Sequence, residues 1–171
     1  AASIALLIGL GSWWVQSVFF STVTYSTAFA EWKNIELPEG SIVHLNANSE
    51  LTTSRKWKDG ADRRVELTGE AFFEVEKKLA TNAKFTVVTS DLEVEVFGTA
   101  FNVHARGEST KVYLEEGSVK LQYDEQETQM AEGEYIVYSA EDQKIVSRYN
   151  REDEKYAPQD WKDGTLMFEN E

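Results

Sequence analysis

The sequence contains no cysteine, which excludes thiolate metal sites, a disulfide framework and a cysteine nucleophile, and is compatible with an oxidising compartment. Proline is nearly absent as well: only Pro38 and Pro158 occur, and neither interrupts a strand-like run. Basic residues are in short supply, with 17 Lys and Arg against 30 Asp and Glu and a net charge of −13. Binding through nucleic-acid phosphates draws its affinity from clustered cations. No such patch stands out, so nucleic acid is not an expected partner. Acidic runs such as Glu115-Glu116 and Glu152-Asp153-Glu154 lack the Asp spacing of an EF-hand loop and read as solubilising surface rather than a calcium site.

Charge is missing altogether from the N-terminus, where "AASIALLIGLGSWWVQSVFF" is uncharged and the first charged residue is Glu31. Twenty helical residues rise about 30 Å, the thickness of a bilayer's hydrocarbon core. Trp13, Trp14, Phe19 and Phe20 suit the water interface at its far end. The expectation is one transmembrane helix over 1–20, its start lying upstream of Ala1, then a juxtamembrane linker and first strand over 21–34. A signal peptide is the rival, because Ala28-Phe29-Ala30 fits a small-x-small cleavage pattern. Against it, the apolar run is longer than the usual ~7–15-residue h-region and no basic segment precedes it. A buried soluble helix is the third choice.

From Ile35 onward, alternating or β-branched runs succeed one another: "SIVHLN", "RRVELTG", "FFEVE", "KFTVVTS", "LEVEVFG", "KVYLEEG", "SVKLQY", "EYIVYS" and "KIVSRY". Glycines at 40, 69, 98, 117 and 133 punctuate them. Short strands at this density predict an all-β domain over 35–155, an antiparallel sandwich or roll with β-helix-like quasi-repeats. One phrase recurs at a fixed offset of 29 residues: "VELTGEAFFEV" from Val65 and "VEVFGTAFNV" from Val94 share Val, Glu, Gly, Ala and Phe. Each is read as strand, corner, strand. Gly69 and Gly98 are expected to turn the backbone, and Phe72 and Phe101 to fill equivalent core layers. "LPEGSIV" at Leu37 and "LEEGSVK" at Leu114 make a second, weaker pair, and "AEGEYIV" from Ala131 a fainter third.

Catalytic constellations find no support. His44 and His104 stand alone in strands without the His-x-His and Glu of a cupin metal site. Glu70 and Glu74 could share a strand face as a glycosidase pair would require, but paired glutamates on strands are usually surface or turn residues. Ser41, Ser49 and Ser118 belong to no Gly-x-Ser-x-Gly elbow, and no P-loop or dinucleotide fingerprint occurs. The residues therefore read as an anchored, non-enzymatic β-domain without a cofactor or metal, made to bind or to relay a signal.

Taken in order, "LPEGSIVHLNANSEL", "RRVELTGEAFFEVEK", "FTVVTSDLEVEVFGTAFNVHA", "VYLEEGSVKL" and "WKDGTLMFEN" resemble the FecR-type anti-sigma factors and transmembrane sensors, from about Tyr25 to Asn170. Two departures are small: Glu39 stands where the family often has Asp, and Lys84-Phe85 where it often has Pro-Phe. The resemblance implies a relay in the Gram-negative envelope. A cytoplasmic segment holds an extracytoplasmic-function (ECF) sigma factor, one helix crosses the inner membrane, and a β-domain in the periplasm meets the signalling domain of a TonB-dependent outer-membrane transducer. It also implies that 156–171 lead into a further C-terminal subdomain. Leu37, Gly40, Asn46, Gly69, Glu70, Phe72, Phe73, Gly98, Phe101, Asn102 and Gly117 are then structural signatures, with the two asparagines as turn or inter-strand hydrogen-bonding groups. Trp161, Gly164, Leu166 and Phe168 mark a candidate partner-binding segment. The principal alternative is a membrane-held carbohydrate-binding or adhesive sandwich using Trp57, Tyr156 and Trp161 to stack on sugars, and a β-fold hydrolase is a distant third.

Overall fold

The computed structural model describes residues 9–11, 22–58 and 60–150. Thirteen strands follow in order: β1 (Thr22–Ser26), β2 (Lys33–Glu36), β3 (Ile42–Leu45), β4 (Glu50–Ser54), β5 (Arg63–Glu74), β6 (Phe85–Val88), β7 (Glu93–Val96), β8 (Ala100–Arg106), β9 (Ser109–Glu116), β10 (Val119–Tyr123), β11 (Gln126–Met130), β12 (Glu134–Ser139) and β13 (Lys144–Asn150). Alternation explains most of them. Val119, Leu121 and Tyr123 are buried on β10 while Lys120 and Gln122 are half-buried, the signature of a strand with one face in the core.

The strands form two layers. The front sheet runs β11-β10-β7-β6-β5-β4-β1, and the back sheet β2-β3-β5-β8-β9-β12-β13. β5 belongs to both. Its first half pairs with β4 and β6, its second half with β3 and β8, and Gly69 lies between the halves. Sequence reading expected two pieces here, and a single 12-residue strand continues through the corner instead. The all-β expectation holds, with two corrections. The β5–β6 pair is parallel, so the sheet is mixed rather than purely antiparallel; the long connector between these strands carries the chain back to the same rim. The quasi-repeats also do not stack as in a β-helix. The two copies of the glycine phrase run antiparallel to each other, and their second halves pair directly, with Phe73 opposite Phe101.

That pairing settles the core. Val43, Phe73, Phe101 and Leu114 form one inward row of the back sheet, and Leu45, Ala71, Val103, Val112 and Ile136 the next. Phe73 stacks on Phe101 with ring centroids 5.1 Å apart and an interplanar angle of 14°. Facing them from the front sheet, Val65, Val87, Val94 and Leu121 line up in register. Phe101 therefore has Phe73 as its partner and not Phe72. Phe72 stands opposite Asn102 and outside the inter-sheet cluster, because the two phrases differ by one residue in strand parity.

One rim of the sandwich, the near rim, holds the start of β1, the turn from β7 to β8 and the end of β13. The far rim holds the Asn46–Ser49 corner and Gly69. The expected anchor, with Trp13, Trp14, Phe19 and Phe20, lies outside the described residues apart from 9–11, which are helical. Among the described residues no helix is long and apolar enough to cross a membrane.

Candidate functional site

Of the residues singled out in the sequence, Asn46, Gly69, Glu70 and Asn102 meet at the far-rim corner. Glu70, first residue of β5 beyond Gly69, reaches across the back sheet: Asn46 Nδ2 donates to its Oε2 at 2.7 Å and Asn102 Nδ2 to its Oε1 at 3.0 Å. One carboxylate thus ties the end of β3 to β8. Asn46 also closes its own turn, its Oδ1 accepting from Ala47 N at 2.7 Å. Ser49 completes the corner, its Oγ accepting from Glu70 N at 2.9 Å and donating to Ala47 O at 3.0 Å. Gly69 is at φ 98°, and a Cβ there would stand 2.7 Å from Ser49 Cα.

His104 lies opposite Glu70 in the β5–β8 register. Its Nδ1 is buried without a hydrogen-bond partner among the described residues. Burial holds this imidazole below its ordinary value, opposed by the nearby Glu70 carboxylate. His44 sits elsewhere on the same face, with Nδ1 2.7 Å from Asn34 Oδ1 and Nε2 3.1 Å from Glu74 Oε1. Glu70 and Glu74 are therefore engaged separately, one by two amides and the other by an imidazole.

At the near rim, Gly40 and Gly117 take φ of 98° and 99°. Gly40 closes the β2–β3 turn, donating to Leu37 O at 2.9 Å, with the Leu37 side chain buried beneath it. Gly117 carries the chain from β9 to β10 and donates to Glu132 Oε1 at 2.8 Å. The two glycines share a backbone conformation and differ in what they connect, since Gly40 joins strands within a sheet and Gly117 joins the sheets. Gly98 has no left-handed φ; its lack of a side chain makes room for Lys77, whose Cα would lie 2.9 Å from a Cβ. Trp161, Gly164, Leu166 and Phe168, together with Tyr156, lie outside the described residues.

Sequence reasoning missed Arg63. This buried arginine opens β5 on the inward parity of Val65 and Leu67. It donates from Nη1 to Glu76 O at 3.0 Å and from Nη2 to Ala83 O at 2.9 Å, lies 3.5 Å from Glu39 Oε1, and packs its guanidinium 5.5 Å from the centre of the Phe85 ring. It pins the β5–β6 connector over the end of the core, beside a cavity of about 510 Å³ lined by Glu39, Trp57, Lys78 and Leu79 among others. Parity within "RRVEL" was the available signal. Trp57 is half-buried and meets Phe85 edge-on, centroids 6.2 Å apart at 82°, an orientation committed to packing rather than to a sugar-stacking platform.

The fold is a two-layer β-domain in which the Glu70 and Glu74 carboxylates are hydrogen-bonded to Asn46, Asn102 and His44. The family described as FecR protein matches residues 23–120, which take in nearly all of β1 and run into β10, so the chain belongs to the FecR family. Two crystal structures, each of a provisionally assigned anti-sigma factor from Parabacteroides distasonis, share its fold. One is 30% identical with a TM-score of 0.69, covering 76% of this chain and 60% of that one. The other is 30% identical with a TM-score of 0.68, covering 75% and 59%. The chain thus spans about 60% of the length of these solved relatives. No curated protein matches it.

Proposed function

We propose that this chain is the sensor module of a membrane-anchored anti-sigma factor. The observation that carries the reading is the coincidence of the FecR match over 23–120 with a fold shared, at 30% identity, with the Parabacteroides proteins. In this reading 1–20 are the membrane helix, 21–34 the juxtamembrane linker and first strand, 35–155 the β-domain on the periplasmic side of a bacterial inner membrane, and 156–171 the start of a further subdomain. The β-domain receives the signalling domain of a TonB-dependent outer-membrane transducer. The helix transmits that contact to an ECF sigma factor held by a cytoplasmic segment. Surface contact, not turnover, is the mechanism, consistent with corner carboxylates occupied by Asn46, Asn102 and His44. The uncharged run joins the domain at Thr22, so the bilayer lies toward the near rim.

The test is made in cells with the full-length gene, comparing ligand-dependent, sigma-dependent transcription with and without the β-domain at matched protein level. Loss of ligand response on deleting the domain is expected. An unchanged response would sink the relay.

A further inference from the structure

The chain is acidic, yet its cations are not spread evenly: two connectors of the near rim gather them. The β4–β5 connector supplies Arg55, Lys56 and Lys58, and the β5–β6 connector Lys77, Lys78 and Lys84. Lys84 is held by Glu95 and Lys78 by the backbone oxygen of Glu39, whereas Arg55, Lys56, Lys58 and Lys77 are exposed. Between the connectors lies the 510 Å³ cavity. Among the described residues lining it, Glu39 is the one carboxylate against Lys58, Arg63, Lys77 and Lys78, and Arg63 already lies 3.5 Å from that carboxylate. Apolar surface accompanies the charge. Pro38, Ala61 and Ala80 line the same cavity and are exposed, and Leu79 beside them is 82% exposed. An exposed apolar patch ringed by cations is the composition of a surface that meets anionic lipid.

We propose that this face docks on the anionic headgroups of the membrane that the chain enters. The inference rests on the reading of 1–20 as a membrane span. Position is the first argument. Thr22 pairs with Ser54 in the β1–β4 register, so the chain arriving from the uncharged run meets the domain beside Arg55 and Lys56. Tether length is the second: β1 begins two residues after the span, and two extended residues reach about 7 Å. That is within the screening length of about 8 Å at physiological salt. Charge is the third, since a domain from a chain of net charge −13 held so close to anionic lipid is repelled unless it presents cations there. The rim is not uniformly basic. Glu116 and Glu132, on the turns leading from β9 to β10 and from β11 to β12, lie toward the opposite edge of the sandwich. The domain therefore leans to one side, with Leu79 among the headgroups and the lysine ammonium groups at the phosphates.

The absence of cysteine allows single fluorophores to be placed on the full chain reconstituted in vesicles. One label is attached at Leu79→Cys. Controls are Ala131→Cys on the acidic side of the same rim, Glu125→Cys on the far rim and Leu7→Cys in the uncharged run. In vesicles of equal parts phosphatidylglycerol and phosphatidylcholine, a nitroxide carried on lipid headgroups should quench the label at 79 severalfold more than those at 131 and 125. The excess should vanish on phosphatidylcholine alone, and in about 1 M salt, where screening acts within about 3 Å. Replacing Arg55, Lys56 and Lys58 together by Glu should abolish it on anionic vesicles; if that variant fails to fold, the salt and lipid dependence of the parent decides. Quenching at 7 without an excess at 79 overturns the docking and leaves the membrane span standing, whereas no quenching at either position overturns both. Equal quenching at 79 on neutral and anionic vesicles overturns the proposal, because the tether alone would then account for the proximity. So does an excess that rises with protein density at fixed lipid composition, which would make the neighbour a second copy.

Discussion

Gly69 turns β5 over the far rim with φ at +98° and Ser49 lodged where a side chain would begin, whereas Gly98 turns β7 into β8 over the near rim with no left-handed φ and yields its space to Lys77. Both carry the chain from the front sheet to the back, and both stand at the same place in the repeated phrase. They answer to different constraints. At Gly69 conformation and close approach act together; at Gly98 close approach acts alone. A repeated glycine can thus conserve a change of layer without conserving the reason that glycine is needed.

The largest effect expected from this contrast is at Gly69. Gly69→Ala meets a backbone conformation costing about 1–2 kcal/mol for an L-residue and an overpacked corner costing about 1–3 kcal/mol more. A total near 3 kcal/mol should be seen in denaturant unfolding. Ser49→Gly in the same chain should restore only part of it, because it removes the packing against Ser49 Oγ and Cβ and leaves the φ as it was. Gly98→Ala should cost less, about 1–3 kcal/mol. Since its penalty is contact with Lys77, Lys77→Gly should recover a larger share of the loss. Equal losses at the two glycines, or no rescue at Gly98, would break the comparison.

The smallest effect lies just beyond the Gly69 corner. Burial depresses the His104 imidazole below its ordinary value near 6.5, so the unfolded chain takes up the proton more readily than the folded one. Stability from this group is fully present above pH 6.5 and is lost as pH falls through 6.5 toward the folded value. His104→Gln should therefore lose less stability than the parent between about pH 7.5 and about pH 5.5. Parallel melting-temperature profiles for the two proteins would show that His104 does not titrate in this way.

Much of the fold was legible in local pattern. Alternation in "SVKLQY" and "EYIVYS" became β10 and β12, and the repeated glycine phrase did mark passage between layers. The corner asparagines were recognisable as hydrogen-bonding groups, although nothing local said that both would share Glu70. Strand parity was less legible. Two adjacent phenylalanines, Phe72 and Phe73, cannot both face the core of one strand, and sequence similarity aligned the wrong one with Phe101. Arg63 was obscured for a related reason, since an arginine is ordinarily read as surface even on an inward position.

By itself the sequence determined an acidic, cysteine-free, β-rich domain preceded by an uncharged run of membrane length, and the order of phrases that places it in the FecR family. Those properties reside in composition and short-range periodicity, which need no knowledge of distant contacts. Tertiary structure decided the rest: that β5 serves both sheets and pairs parallel with β6, that Phe73 rather than Phe72 meets Phe101, and that Gly69 and Gly98 are glycine for different reasons. Each depends on register between strands far apart in the chain, where a slip of one residue exchanges the inner face for the outer, and no local pattern carries that information.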